Sequence, residues 1–472
     1  MQRIYLMRHA ISIALLTVII QLSSNAATFT VTTIADNGDN MAPTPGSLRE
    51  AILDVNAAAG PHTIEFNIPG TAPFVIQPPV DLPFINETVT IDGYTQPGAA
   101  ENTLLQGNNA AILIVLNGSN YTVGDGISTG NGLVLSPLAN TTVDNSVIRG
   151  LAINGWLGNG ILLDATNAEI NNVQIIGNYI GTDNTGTTEV ANRTGIGLSS
   201  IGDFTVNDTI IGTFLPADRN IIAGSFSYFP DDYGIRGACI SSAFSQGTTI
   251  VNNYIGTDKT GTIALGNSLQ GLYLNGDSPT LQGIGNFDRN VISGHLVFGL
   301  RLRGCNALVE NNYIGTDVTG QIALGNQNAG IEIDGDYTAN GFTEANTITN
   351  NLISGNGDGA HIGSNALPGA ADNTFNNNKV GTDYSGRVSL SNTRNGVLIL
   401  ETRNTINDNV VSANNENGFL IFSLTATENV LTHNFIGTDL LGIHPLGNDG
   451  HGIQFGLYNL FGLDASDNTI GI

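Results

Sequence analysis

Positive charge is scarce in this sequence. Only 15 of 472 residues are Lys or Arg, against 40 Asp or Glu, which gives a net charge of −25 at neutral pH. That balance excludes a nucleic-acid binder, because neutralising phosphates needs clustered cations. Charged residues of both signs make up 12% of the chain and hydrophobic ones 41%, so a disordered acidic tail is excluded too. There is one Trp, Trp156, which is poor material for an aromatic platform under neutral sugars. What the chain has in excess is Gly, 60 residues, and Asn, 58 residues. Both are poor in helix interiors, so a helix-rich architecture is excluded.

Long apolar runs are also missing, with one short exception. Ile11 to Ile20 is apolar, follows Arg3 and Arg8, and precedes the small residues Ser24-Asn25-Ala26. A run of about ten residues is too short to span a bilayer. The pattern is that of a secretory signal cleaved after Ala26. Residues 1–26 are therefore read as a signal peptide. The chain is expected to be extracellular, cell-surface or periplasmic, with no membrane span once the signal is removed.

The motif Ile-Gly-Thr-Asp recurs at Ile180–Asp183, Ile255–Asp258, Ile314–Asp317 and Ile436–Asp439, with Val380–Asp383 as a variant. Each copy follows an Asn: Asn178, Asn253, Asn312, Asn378 and Asn434. Between copies lies Asn-x-Ile-x-Gly, at Asn220–Gly224, Asn290–Gly294 and Asn351–Gly355, with a variant at Asn409–Ala413. A short alternating strand opened by Gly follows each motif. Each supercycle thus holds two coils, at about 28–38 residues per coil, and each coil holds about three short strands. Such a coil cannot bury its apolar face alone, and stacking buries a continuous core. The expected fold is all-β: a right-handed parallel β-helix solenoid from about residue 110 to the C-terminus. Recurrent Asn predicts an internal ladder of side-chain amides and also suits left-handed bends. On this reading Cys239 and Cys305 lie about two rungs, roughly 9–10 Å, apart, beyond disulfide reach, and are expected as free thiols.

Residues 27–109 differ and are read as an N-terminal cap region. Ser47 and Glu50 form a capping box. Leu48, Ala51, Ile52 and Val55 then share one helical face. A short helix there is expected to close the first coil. No such cap precedes the C-terminus, so an open last coil is expected there.

Gly46-Ser-Leu-Arg-Glu-Ala-Ile52, Ile91-Asp-Gly-Tyr-Thr-Gln-Pro-Gly98 and the Asn-Tyr-Ile-Gly-Thr-Asp repeats together resemble exported bacterial right-handed β-helix repeat proteins of the pectate-lyase-like superfamily. That superfamily includes lyases, glycoside hydrolases, epimerases and adhesins, so the resemblance implies a fold and a tie to carbohydrate rather than one activity. The pectate lyase motifs Arg-x-Pro-x-x-Arg and Trp-Ile-Asp-His are absent. Gly450-His451-Gly452 is similar to a polygalacturonase motif but lacks its context.

Stacking the Gly-opened strands in register aligns their outward positions. Two residues after Gly the column reads Leu162, Gly197, Arg236, Tyr273, Arg301, Glu332, His361, Leu398, Leu420 and Gln454. Four after Gly it includes Asn275, Arg303, Asp334, Leu400 and Phe422. Three arginines of a cation-poor chain thus converge. Arg236, Tyr273, Asn275, Arg301 and Arg303 are the expected binding residues, since Arg suits bidentate recognition of carboxylate or sulfate. Arg301, Glu332, Asp334 and His361 are the candidates for catalysis, with Glu332 and Asp334 as acid/base groups and His361 as a base near neutral pH. The alternative is a solvated face whose exposed pairs Arg301–Glu332 and Arg303–Asp334 contribute little. Leu398, Leu400, Leu420 and Phe422 form an outward apolar patch.

The repeated aspartates Asp183, Asp258, Asp317, Asp383 and Asp439 are read as turn residues. No cofactor and no metal site is expected, with calcium left open. The leading functional expectation is a secreted or surface β-helix that presents a glycan- or surface-binding face. The first alternative is a lyase, hydrolase or epimerase acting on an acidic polysaccharide. The second is an adhesive or structural module assembling through the C-terminal coil or the Leu/Phe patch.

Overall fold

The computed structural model describes residues 26–121, 130–200, 204–226, 238–243, 245–275, 280–282, 289–335, 343–364, 369–456 and 467–471. Of the expected signal segment 1–26, residues 1–25 lie outside the described residues, as does Arg236.

Three long sheets run side by side, and the pairings between their strands are all parallel. Sheet A has 14 strands, from Thr28–Val31 to Thr469–Ile470. Sheet B has 12 strands, from Phe74–Ile76 to Phe435–Ile436, and sheet C has 11, from Leu133–Leu135 to Ile453–Phe455. The chain visits A, B and C in turn and pairs each strand with its counterpart in the next coil. This is the right-handed parallel β-helix that the repeats predict. One α-helix, Leu48–Asn56, is found among the described residues.

Strand pairing begins ahead of the expected start at 110. Thr28–Val31 already pairs with His62–Phe66, which pairs with Val89–Asp92, and Ile85 bridges to Leu135 in sheet C. The cap region is thus built partly of coils. Its alternating sequence, His62-Thr-Ile-Glu-Phe66, is a half-buried strand by the same rule that governs the later repeats.

The helix forms as its sequence dictates. Ser47 Oγ accepts the Glu50 N–H at 3.1 Å, and Glu50 reaches back to the Gly46 N–H at 2.6 Å, one residue earlier than an ideal capping box. Leu48, Ile52 and Val55 are buried and join the core with Val31 and Ile64. Arg49 is also fully buried, which the apolar pattern does not announce. It donates to Asp36, Asn40 and the carbonyls of Val80 and Asp81.

Inside, columns of Ile, Val and Leu stack coil upon coil. The predicted Asn ladder runs from Asn178 to Asn434, each side-chain amide bonding the Asn of the adjacent coil. Its members also accept or donate to buried strand backbone, as where Asn351 Nδ2 donates to the Val309 carbonyl at 2.9 Å. Left-handed bends fall to the residue before most ladder Asn: Asn252, Asn311, Asn350 and Asn377 have φ of 60°, 56°, 57° and 54°, whereas Arg219, before Asn220, is extended at φ −62°. The Asn-Asn pairs therefore split two tasks expected of one residue. Ladder neighbours are 22 to 42 residues apart in sequence, a wider spread than the expected coil length, because surface loops absorb the difference.

The repeated aspartates are turn residues, as read. Asp258 Oδ1 accepts the N–H groups of Thr262 and Ile263, and Asp317 and Asp383 do the same four and five residues on. Cys239 and Cys305 are free, and burial pushes the Cys239 thiol up to about 12. The Leu/Phe patch is less open than expected: Leu400 is 3% exposed, and Leu398, Leu420 and Phe422 are half-buried. No helix among the described residues is long and apolar enough to cross a membrane.

Candidate functional site on sheet C

Sheet C strands alternate apolar residues, which enter the core, with residues that face outward. Their register is the predicted one at nearly every coil. Tyr273 pairs with Arg301, Arg301 with Glu332, Glu332 with His361, and His361 with Leu398. Asn275 pairs with Arg303. The exception is Arg236. The partner of both Gly197 and Tyr273 is Ser241, so that column position belongs to Ser241 and not to Arg236. The strand Ile240–Ala243 lacks the opening Gly that set the register elsewhere.

The outward residues form one connected network. Asp334 Oδ2 accepts from Arg301 Nη2 at 2.5 Å and from Arg303 Nη2 at 2.5 Å and Nε at 3.0 Å. Its other oxygen accepts from Ser364 Oγ at 2.5 Å. Arg303 Nη1 also donates to the Tyr273 hydroxyl at 3.3 Å. Arg301 Nε lies 2.9 Å from Glu332 Oε2, an ion pair in which neither atom makes an aligned hydrogen bond. Glu332 Oε1 lies 4.0 Å from His361 Nδ1, and His361 Nε2 meets Asp358 Oδ2 at 3.0 Å. Arg394 Nη2 reaches the same Asp358 oxygen at 2.8 Å.

Three residues of this network, Asp358, Arg394 and Ser364, were not singled out from sequence. Asp358 sits one residue before the strand-opening Gly359, in a column outside the two positions read. The neighbours on the following coils are amides: Asn395 donates twice to Asp358, and Asn417 donates to Asn395, while on the preceding coil the neighbour is Ala329. A carboxylate at the head of a run of amides was the available signal. Arg394 enters from a turn, where strand register gives no guide.

The pairs expected as exposed are instead mostly buried. Side-chain exposure is 0% for Asp334, 5% for Asp358 and 8% for Glu332, against 17% for Arg301 and 42% for Arg394. The carboxylates are therefore hidden, Arg303 is buried with them at 6%, and Arg301 and Arg394 are the guanidiniums with access to solvent. Burial opposes the charged form of His361, but hydrogen bonds and charge from Asp358 and Glu332 outweigh it and raise its pKa above 6.5. Burial opposes the charged form of Asp358 as well, and His361 and Arg394 overcome it, so its pKa falls below 3.8. Burial likewise opposes the charged Arg303, and Asp334 and Tyr273 more than offset it.

This geometry limits the chemistry. Asp334, at 0% exposure and with four donors, positions the arginines and does not reach a substrate. A histidine acting as general base must be unprotonated, and the surroundings of His361 favour its cation. Guanidiniums held by hidden carboxylates are suited to receive an anionic group. Among the described residues no cluster of His, Cys, Asp or Glu could hold a metal ion.

No family model and no curated protein matches the chain. Among solved structures the chain is similar to the Dettilon tailspike protein, at 13% identity and TM-score 0.48, over 90% of this chain and 68% of that one. It is similar to the A-module of an Azotobacter vinelandii mannuronan C-5 epimerase, at 12% identity and TM-score 0.47, over 94% and 99% of the two chains. An alginate lyase from a Paenibacillus species matches at 16% identity and TM-score 0.34, over 91% and 99%. At these identities and scores the likenesses decide nothing about activity.

Proposed function

We propose that the chain is an exported β-helix protein that binds an acidic glycan along sheet C without cleaving it. One observation carries the reading: the network buries its carboxylates and Arg303 and leaves Arg301 and Arg394 as its more accessible charges. Arg301, Arg303 and Arg394 balance Glu332, Asp334 and Asp358, so 3 − 3 = 0, and protonated His361 makes the cluster +1. In a chain of net charge −25, a face of neutral to positive charge repels a polyanion less than the average surface does. Tyr273 to His361 spans four adjacent strands, roughly 14 Å at the usual inter-strand spacing, which is room for a few sugar units.

The test is an array of acidic and neutral oligosaccharides probed with the mature chain, followed by assays for new reducing ends and unsaturated products. Binding confined to acidic sugars, without products, is expected. Products that vanish in Arg301→Gln would replace binding by lyase or hydrolase chemistry at the same face. Export rests on the N-terminal segment alone, and the secreted protein is expected to begin at Ala27.

A further inference from the structure

A second cationic feature lies on the opposite wall. The outward column of sheet B reads Tyr179, Ile221, Tyr254, Val291, Tyr313, Leu352, Lys379 and Val410 in register. Its first half is covered by the chain itself. Ala110 and Ile112 pack on Tyr179, Ile221 and Tyr254, the Tyr179 hydroxyl donates to Asn108, and Gly107 N–H donates to the Tyr254 hydroxyl. Within this cover Arg219 lies over the Tyr254 ring, 4.8 Å from its centroid. Its guanidinium is met by the backbone carbonyls of Leu104, Leu105 and Gly107.

Two coils further on the same arrangement recurs. Arg289 precedes ladder residue Asn290 as Arg219 precedes Asn220, and it lies over the Tyr313 ring at 3.9 Å. Here the space against the ring and guanidinium is a pocket of about 270 Å³. Arg289, Tyr313, Lys379 and Tyr384 line it, with the amides of Asn311, Asn350 and Asn377. Arg289 is 7% exposed, so its charge is largely withdrawn from water. Asp383, the carboxylate whose charge acts on Lys379, is committed to its own hairpin through Ser385, Arg387 and Val388. Burial, and then the charge of Arg289, lower the pKa of Lys379. An anion beside Lys379 would relieve its desolvation and its repulsion from Arg289.

We infer that this pocket binds the anionic group of an acidic sugar residue, with Lys379 and Arg289 holding the charge and the three Asn amides meeting hydroxyls. The volume suits one sugar-sized group, and the carbonyls that Arg219 receives from the chain's own cover show the kind of oxygen this position accepts. The inference does not rest on sheet C, and the two sites can be tested apart.

Lys379 and Lys259 are the two lysines of the chain, which makes amine labelling a clean readout. The mature chain would be acetylated with limiting reagent and both sites followed by mass spectrometry. A uronic-acid oligosaccharide, a sulfated one and an uncharged one would be added in turn. Slowing of Lys379 labelling by about fivefold or more in an acidic arm is expected, with Lys259 unchanged; which acidic arm protects distinguishes carboxylate from sulfate. Affinity measured in an Arg301→Gln background should fall about tenfold on adding Lys379→Gln, equivalent to about 1.4 kcal/mol. Equal labelling rates in all arms would overturn the inference. So would protection by an acidic peptide but by neither acidic sugar, or unchanged affinity in a folded Lys379→Gln protein. If Arg301→Gln is silent while Lys379 is protected, the sheet C reading fails and this one stands.

Discussion

Arg303 donates twice to one oxygen of Asp334, at 3.0 and 2.5 Å, and Asp334 has no solvent exposure. This pair is the anchor of the sheet C network. Removing one member leaves the other charged and desolvated. Asp334→Ala is expected to cost about 3–5 kcal/mol in denaturant unfolding, while the double change to Asp334→Leu with Arg303→Met costs much less than the single one. Additive losses would show that the pair is not coupled.

His361 links the network to pH. Its folded pKa is raised above 6.5, so its stabilising contribution is fully present below 6.5 and is lost as pH rises through the folded value. Asp358 has a folded pKa below 3.8, so its contribution is present above 3.8 and lost as pH falls through the folded value. Wild type should therefore exceed His361→Gln in stability by the widest margin between pH 4 and 6, and the margin should narrow by pH 9. Unfolding curves at the two ends of that range give the answer, and a margin constant with pH would contradict the assignment.

The Asn ladder is expected to be a stabilising element at each rung. Asn351→Ala removes its bonds to Asn378, Asn312 and the Val309 and Thr349 carbonyls. Leaving those buried groups unmet costs about 1–3 kcal/mol. Asn415→Ala, at an exposed position, should cost under about 0.5 kcal/mol. Chemical denaturation of the two variants side by side measures the difference.

The thiols should separate by burial. Cys239 is fully buried with its pKa pushed up to about 12, whereas Cys305 is partly exposed. A thiol reagent at pH 8 is expected to titrate Cys305 in the native chain and both cysteines after denaturation. Rapid native modification of Cys239 would mean that the coil around it opens.

The fold was legible because each coil repeats the same instructions. The Asn-Tyr-Ile-Gly-Thr-Asp motif carries a bend, a ladder amide, a core Ile and an Asp-closed hairpin in six adjacent residues, so one reading serves five places. The same periodicity set the register of Tyr273, Arg301, Glu332 and His361. It failed at Arg236, because Ile240–Ala243 takes its register from its neighbours rather than from an opening Gly. Burial of the network was not legible, since strand alternation states which way a side chain points and not what lies over it. Arg49 and Arg394 were missed for a related reason: their partners are backbone carbonyls and side chains from turns, to which no period applies.

The most direct test of the sheet C account is calorimetric titration of one acidic oligosaccharide into three proteins at low salt. These are wild type, Arg301→Gln and Arg403→Gln, the last altering an exposed arginine paired with Asp372 away from the site. The account predicts about a tenfold or greater loss of affinity in Arg301→Gln and none in Arg403→Gln. Equal affinity in wild type and Arg301→Gln would contradict it.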